Sequence, residues 1–160
     1  VTTATHADLI AALYAKLDQL GRMAGHLEYS HNKAAAWLPR ATLAGLEPDQ
    51  LESLAALKGR YSEMQDHLAA AMRLVARIEE VNADAFTYVV NFMEKIGVIP
   101  SAADWNEARA LRNDAAHAYS EQAEEQGEFF NQVFQKTPFL FETLAALGNF
   151  CRRTYPEGKQ

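Results

Sequence analysis

The chain carries one cysteine, Cys151, so no intramolecular disulfide can form and a cysteine-built zinc finger is excluded. No apolar run approaches the length of a membrane span, and the N-terminus lacks the basic-then-apolar layout of a signal peptide. A cytoplasmic protein without a membrane partner is the expectation. Positive charge is also short: fifteen Lys and Arg stand against twenty-one Asp and Glu, a net charge of −6. That balance argues against broad, non-specific nucleic-acid binding, which rests on many phosphate contacts. It leaves room for a local basic site on an acidic background. There is no glycine-rich phosphate loop, no Gly-x-Ser-x-Gly segment and no Cys–His pairing.

What is present is helix-forming sequence. Of 160 residues, 49% are apolar, enough for one domain with its own core and no metal or disulfide staple. Apolar residues recur at helical spacing almost throughout, without sustained period-two alternation. A first helix is predicted from about Thr5 through Leu9, Leu13, Leu17 and Leu20. It continues over Met23, Leu27 and Ala34 towards Trp37, although Gly21 and Gly25 weaken it, and Pro39 stops it. The segment from Ala41 to Pro48 reads as a loop. Asp49 opens the clearest helix, with Leu51, Leu54, Leu57, Tyr61, Met64, Leu68, Met72, Val75 and Ile78 in one stripe.

A break near Asn82 precedes Phe86, Val89, Val90 and Phe92, and Gly97 with Pro100 closes that helix. Ser101 and Asp104 have capping-box spacing and open a helix carrying Trp105, Ala108 and Leu111. A turn is expected around Tyr119-Ser120, then a helix with Phe129, Phe130, Val133 and Phe134. Pro138 is read as the start of a last helix with Leu140, Leu144, Leu147 and Phe150. Residues 152–160 are expected to fray. The pattern predicts a single all-α domain over 1–160, an up-and-down antiparallel bundle of five to six helices.

One run stands out for chemistry: Arg112-Asn113-Asp114-Ala115-Ala116-His117-Ala118-Tyr119. It resembles the signature of the HEPN family, and within it the HepT-like toxins, in which Arg is followed by four residues, His, one residue and Tyr, often with Asn directly after Arg. The Arg60-Tyr-x-x-Met-Gln-Asp66 segment and Ile96-Gly97-Val98-Ile99-Pro100 ahead of the motif helix are similar as well, so the likeness covers about Leu54 to Phe150. Ser120 departs from the pattern, where proline often follows the tyrosine. The resemblance implies a metal-independent ribonuclease toxin that acts as a homodimer on an RNA substrate without a cofactor. It implies that Tyr119 is adenylylated by a partner minimal nucleotidyltransferase acting as antitoxin. The alternative within the family is a non-catalytic protein that presents an RNA or nucleotide site to the nucleotidyltransferase.

The residue types suit that chemistry. Histidine exchanges a proton near neutral pH, with an unperturbed pKa of about 6.5. Arginine stays charged and presents a planar fork to phosphate oxygens. Arg112 and His117 are therefore the catalytic candidates, with Asn113 and Asp114 in support. Five positions along an ideal helix turn a side chain by about 140°, so the two converge only if the helix ends or bends near His117, or if a second subunit completes the site. Adenylylation of Tyr119 would add negative charge and bulk beside them.

Plainer readings exist for each residue. Arg112 would make a surface ion pair with Asp114 or Glu107, His117 would favour a helix C-terminus, and Tyr119 would fill core. A metal-binding bundle is a further class, because Glu28-x-x-His31 and Asp114-x-x-His117 have the spacing of di-iron carboxylate proteins, with Glu63 and Glu142 as further donors. The family resemblance assigns no metal. His26, His31 and His67 read as polar-face or half-buried residues, and Arg152, Arg153 and Lys159 as a basic tail.

Overall fold

The computed structural model describes residues 3–115 and 123–157. Among these there are five helices and no strand, in the order α1 (His6–Ala34), α2 (Pro48–Ile78), α3 (Phe86–Lys95), α4 (Ala102–Ala115) and α5 (Ala123–Thr154). The all-α bundle expected from the periodicity is what forms.

Helix α1 starts where the capping residues dictate. The Thr5 hydroxyl accepts from the Asp8 N–H at 3.1 Å, and the Asp8 carboxylate accepts from the Thr5 N–H at 2.9 Å. That backbone hydrogen bond holds the Asp8 carboxyl below its ordinary range. The helix runs straight through Gly21 and Gly25, whose surroundings are open. Leu13, Leu20, Leu27 and Ala34, spaced by seven, are wholly buried and form the seam against α2.

Helix α2 begins one residue earlier than the sequence suggests, because Pro48 occupies its first turn, where a missing N–H costs nothing. The Gln50 carboxamide caps it by accepting from the Glu47 N–H at 2.9 Å. Its buried row is Leu54, Leu57, Tyr61, Met64, Leu68, Ala71 and Val75, whereas Leu51 remains 46% exposed beside the open start of the seam. The contacts Lys33–Asp49, Arg60–Ser30 and Lys16–His67 run in opposite order along the two chains, so α1 and α2 form an antiparallel hairpin. Each leucine sealed in this seam is worth roughly 1.5–3 kcal/mol relative to exposure.

Gly97 adopts φ +79° after α3, and the Gly97 and Val98 N–H groups close back on the carbonyls of Glu94 and Met93. Ser101 then caps α4, accepting from the Asp104 N–H at 3.1 Å and donating to its carboxylate at 2.8 Å. Trp105, Ala108 and Leu111 point inward. The buried Tyr61 hydroxyl donates to the Ala108 carbonyl at 2.9 Å, which sets α4 against α2.

Two expectations fail in α5. Pro138 does not begin a helix; it lies inside one continuous helix from Ala123 to Thr154. The physical reason is local. A proline leaves the carbonyl four residues earlier, that of Phe134, without its helical donor. His31 Nε2 on α1 supplies one at 3.0 Å, and the imidazole stacks on the Phe134 ring at 4.2 Å between centroids. Residues 152–155, within the stretch expected to fray, are held instead, while 158–160 lie outside the described residues. Tyr155 is buried, its carbonyl accepts from the Tyr14 hydroxyl at 2.6 Å, and its own hydroxyl donates to Glu79. No described helix is long and apolar enough to cross a membrane.

Candidate functional site: an arginine-lined cleft

Helical register decides which polar residues meet. On α2, Gln65, Ala69 and Arg73 follow at intervals of four, with Asp66 and Ala70 beside them, so all face one way. On α4, Arg109 and Arg112 are three apart and share a face. The two faces, closed at one end by Phe86 of α3, line a cleft of about 520 Å³.

Within it Arg112 makes a two-pronged contact: Nε donates to Asp66 Oδ1 at 2.8 Å and Nη2 to Oδ2 at 2.9 Å. This fork-to-carboxylate geometry is directional and holds the guanidinium plane. The hydrogen bond that Arg112 donates to Asp66 raises the Arg112 pKa further, so the cation is permanent. With the side chains 31% and 49% exposed, the pair contributes at most about 1 kcal/mol to stability. Its main consequence is orientation.

Arg73 lies with its guanidinium 4.9 Å from the centroid of the Phe86 ring, a cation–π contact that fixes it at the far end of the cleft. Arg109 is exposed, and among the described residues neither Arg73 nor Arg109 has a salt bridge. Gln65 is only 3% exposed, lines the cleft, and its carboxamide makes no hydrogen bond among the described residues.

Of the residues singled out in the sequence, Arg112 and Asn113 line this cleft together. Asp114 does not join them: it faces a second cleft of about 430 Å³ on the opposite side of α4, with Glu107, Gln132 and Lys136. His117 and Tyr119 lie outside the described residues, as does the expected turn at Tyr119-Ser120. Arg112 does make an ion pair, though with neither expected partner; Glu107 instead pairs with Lys136 at 2.9 Å. Arg60 faces the other way, donating to Ser30 and the His26 carbonyl on α1.

Sequence reasoning missed Asp66 as the partner of Arg112, and missed Arg73, Arg109 and Gln65 altogether. Signals for some of them were present: Asp66 closes the Arg60–Asp66 segment, and Arg109 sits one turn before Arg112. The metal reading fares badly on α1, where the His31 ring nitrogen is committed to the Phe134 carbonyl. Among the described residues no group of three or more His, Cys, Asp or Glu side chains is arranged to hold a metal ion.

No family model, no curated protein and no solved structure matches the chain.

Proposed function

We propose that the protein is a metal-independent endoribonuclease of the HEPN type, a toxin that works as a cytoplasmic homodimer and is silenced when a nucleotidyltransferase antitoxin adenylylates Tyr119. The observation that carries this reading is the cleft itself: on a protein of net charge −6, Arg112 is held by Asp66 among two further arginines, five residues ahead of His117. A guanidinium oriented in this way suits a phosphodiester.

In the proposed reaction His117 removes the proton of the 2′-hydroxyl, the 2′-oxygen attacks phosphorus, and Arg112 stabilises the charge that develops on the phosphorane. The P–O5′ bond breaks, the departing 5′-oxygen takes a proton from the second histidine of the dimer, and a 2′,3′-cyclic phosphate remains. Asn113 at the rim of the cleft is available to orient the phosphate. Asp114, on the other face of α4, has no part in this step.

Purified protein in EDTA is expected to cut single-stranded RNA and leave 2′,3′-cyclic ends. His117→Ala should lower the rate by about two to four orders of magnitude, the range for loss of a general acid–base. Arg112→Ala should act similarly while leaving the fold intact. Undiminished cutting by His117→Ala would overturn the assignment. An inert chain that binds the nucleotidyltransferase stoichiometrically would replace it with the binding-only reading.

A further inference from the structure

The cleft holds more than a single scissile phosphate requires. Its volume of about 520 Å³ lies within the range of sites that enclose a whole small molecule. Its charge is also unbalanced. Asp66 is engaged by Arg112, which leaves Arg73 and Arg109 facing the same space with no carboxylate opposite them among the described residues. Both are exposed, so water and salt screen them from each other, and an anion entering the cleft would meet two uncompensated cations. A phosphodiester strand carries one negative charge per nucleotide, so a second cationic point beside Arg112 matches the next phosphate along.

Gln65 points to the same ligand independently. The side chain is almost wholly buried, yet its amide atoms stay open to the cleft, where nitrogen and oxygen offer a donor and an acceptor side by side. A phosphate would use only the donor. A nucleobase edge uses both. Because Gln65 is recessed at the floor of the cleft, only a base free of pairing and stacking can reach it.

We propose that Arg73 and Arg109 hold a flanking phosphate of single-stranded RNA, and that Gln65 reads the edge of its unpaired base, while Arg112 engages the bond to be cut. This subsite rests on the ribonuclease reading for its substrate, yet it is testable without cleavage. The probe is a short 2′-fluoro RNA strand, which lacks the 2′-hydroxyl nucleophile, titrated against the full chain by fluorescence anisotropy at several salt concentrations.

Arg109→Gln alters an exposed side chain and should leave the thermal melt unchanged, while Arg73→Gln also loses the contact with Phe86 and should lower it only slightly. Together they are expected to weaken binding about tenfold at physiological salt and to lower the slope of log affinity against log salt by about 0.7, the single-strand contribution of the one phosphate they share. Gln65→Met should weaken the single strand several-fold and leave an RNA duplex of equal length unaffected. A double arginine variant that binds with wild-type affinity and salt slope would sink the subsite. If the strand binds through Arg73 and Arg109 but unmodified RNA is never cut, the subsite stands and the catalytic proposal falls. If His117→Ala abolishes cutting while the arginine variants bind normally, the reverse holds.

Discussion

Asp66 decides where the Arg112 guanidinium points, and at this scale the two roles of an ion pair separate. A half-exposed pair adds little stability, but its two parallel hydrogen bonds fix a plane that a free arginine would sample only part of the time. Asp66→Ala is therefore expected to shift unfolding stability by less than about 1 kcal/mol. Under the proposed ribonuclease reading it should lower kcat by roughly tenfold with a smaller change in KM, because misplacing Arg112 would cost rate before it costs binding. Equal kcat in the variant and the wild type, measured on RNA, would remove Asp66 from any positioning role.

Among the elements, α5 depends on donors and space that other segments provide. His31 supplies the hydrogen bond that Pro138 denies to the Phe134 carbonyl. His31→Phe keeps the ring stack but leaves that carbonyl unsatisfied, so it should destabilise by about 1–3 kcal/mol in urea unfolding. In a Pro138→Ala background the helix recovers its own donor, and the same substitution should cost clearly less; equal costs in the two backgrounds would refute the coupling. At the start of α5, a Cβ on Gly127 would come within 3.0 Å of the Ala41 carbonyl oxygen and of Thr42 Cα. Both are backbone atoms, unable to swing aside. Gly127→Ala should destabilise by about 1 kcal/mol or more, since overpacking of 1–3 kcal/mol outweighs the helix preference of alanine. A raised melting temperature would contradict that tight approach.

For the molecule as a whole, several groups hold their protons more tightly when the chain is folded. Burial pushes the Cys151 thiol from 9.0 up to about 11. Burial raises the Tyr61 phenol, and burial together with the hydrogen bond to Glu79 raises Tyr155. A raised pKa of this kind contributes stability that is fully present below the unfolded value and lost as pH climbs through the folded one. The urea midpoint should thus be flat around neutral pH and fall from about pH 9 upward. Cys151 should resist thiol reagents at mildly alkaline pH until the protein unfolds. A midpoint that rises between pH 9 and 11 would reverse the sign of this argument.

Local signals were enough to place α1 to α4 and several of their ends: Thr5 with Asp8, Gly97 and Ser101 with Asp104 act through neighbours three or four positions away, and such contacts are written in the order of residues. The inward rows of α1, α2 and α4 were legible for the same reason, because a period of three and a half residues already implies a buried face. Arg112 was conspicuous as part of a motif. Its companions were not, since Asp66 lies 46 positions earlier and Arg73 and Gln65 reach the cleft only because α2 packs beside α4. The unbroken course of α5 past Pro138 was equally invisible, for the donor that rescues it sits 103 residues away on α1. A chain encodes short-range hydrogen bonds directly, whereas which distant polar groups come to share one cavity follows only from how the helices pack.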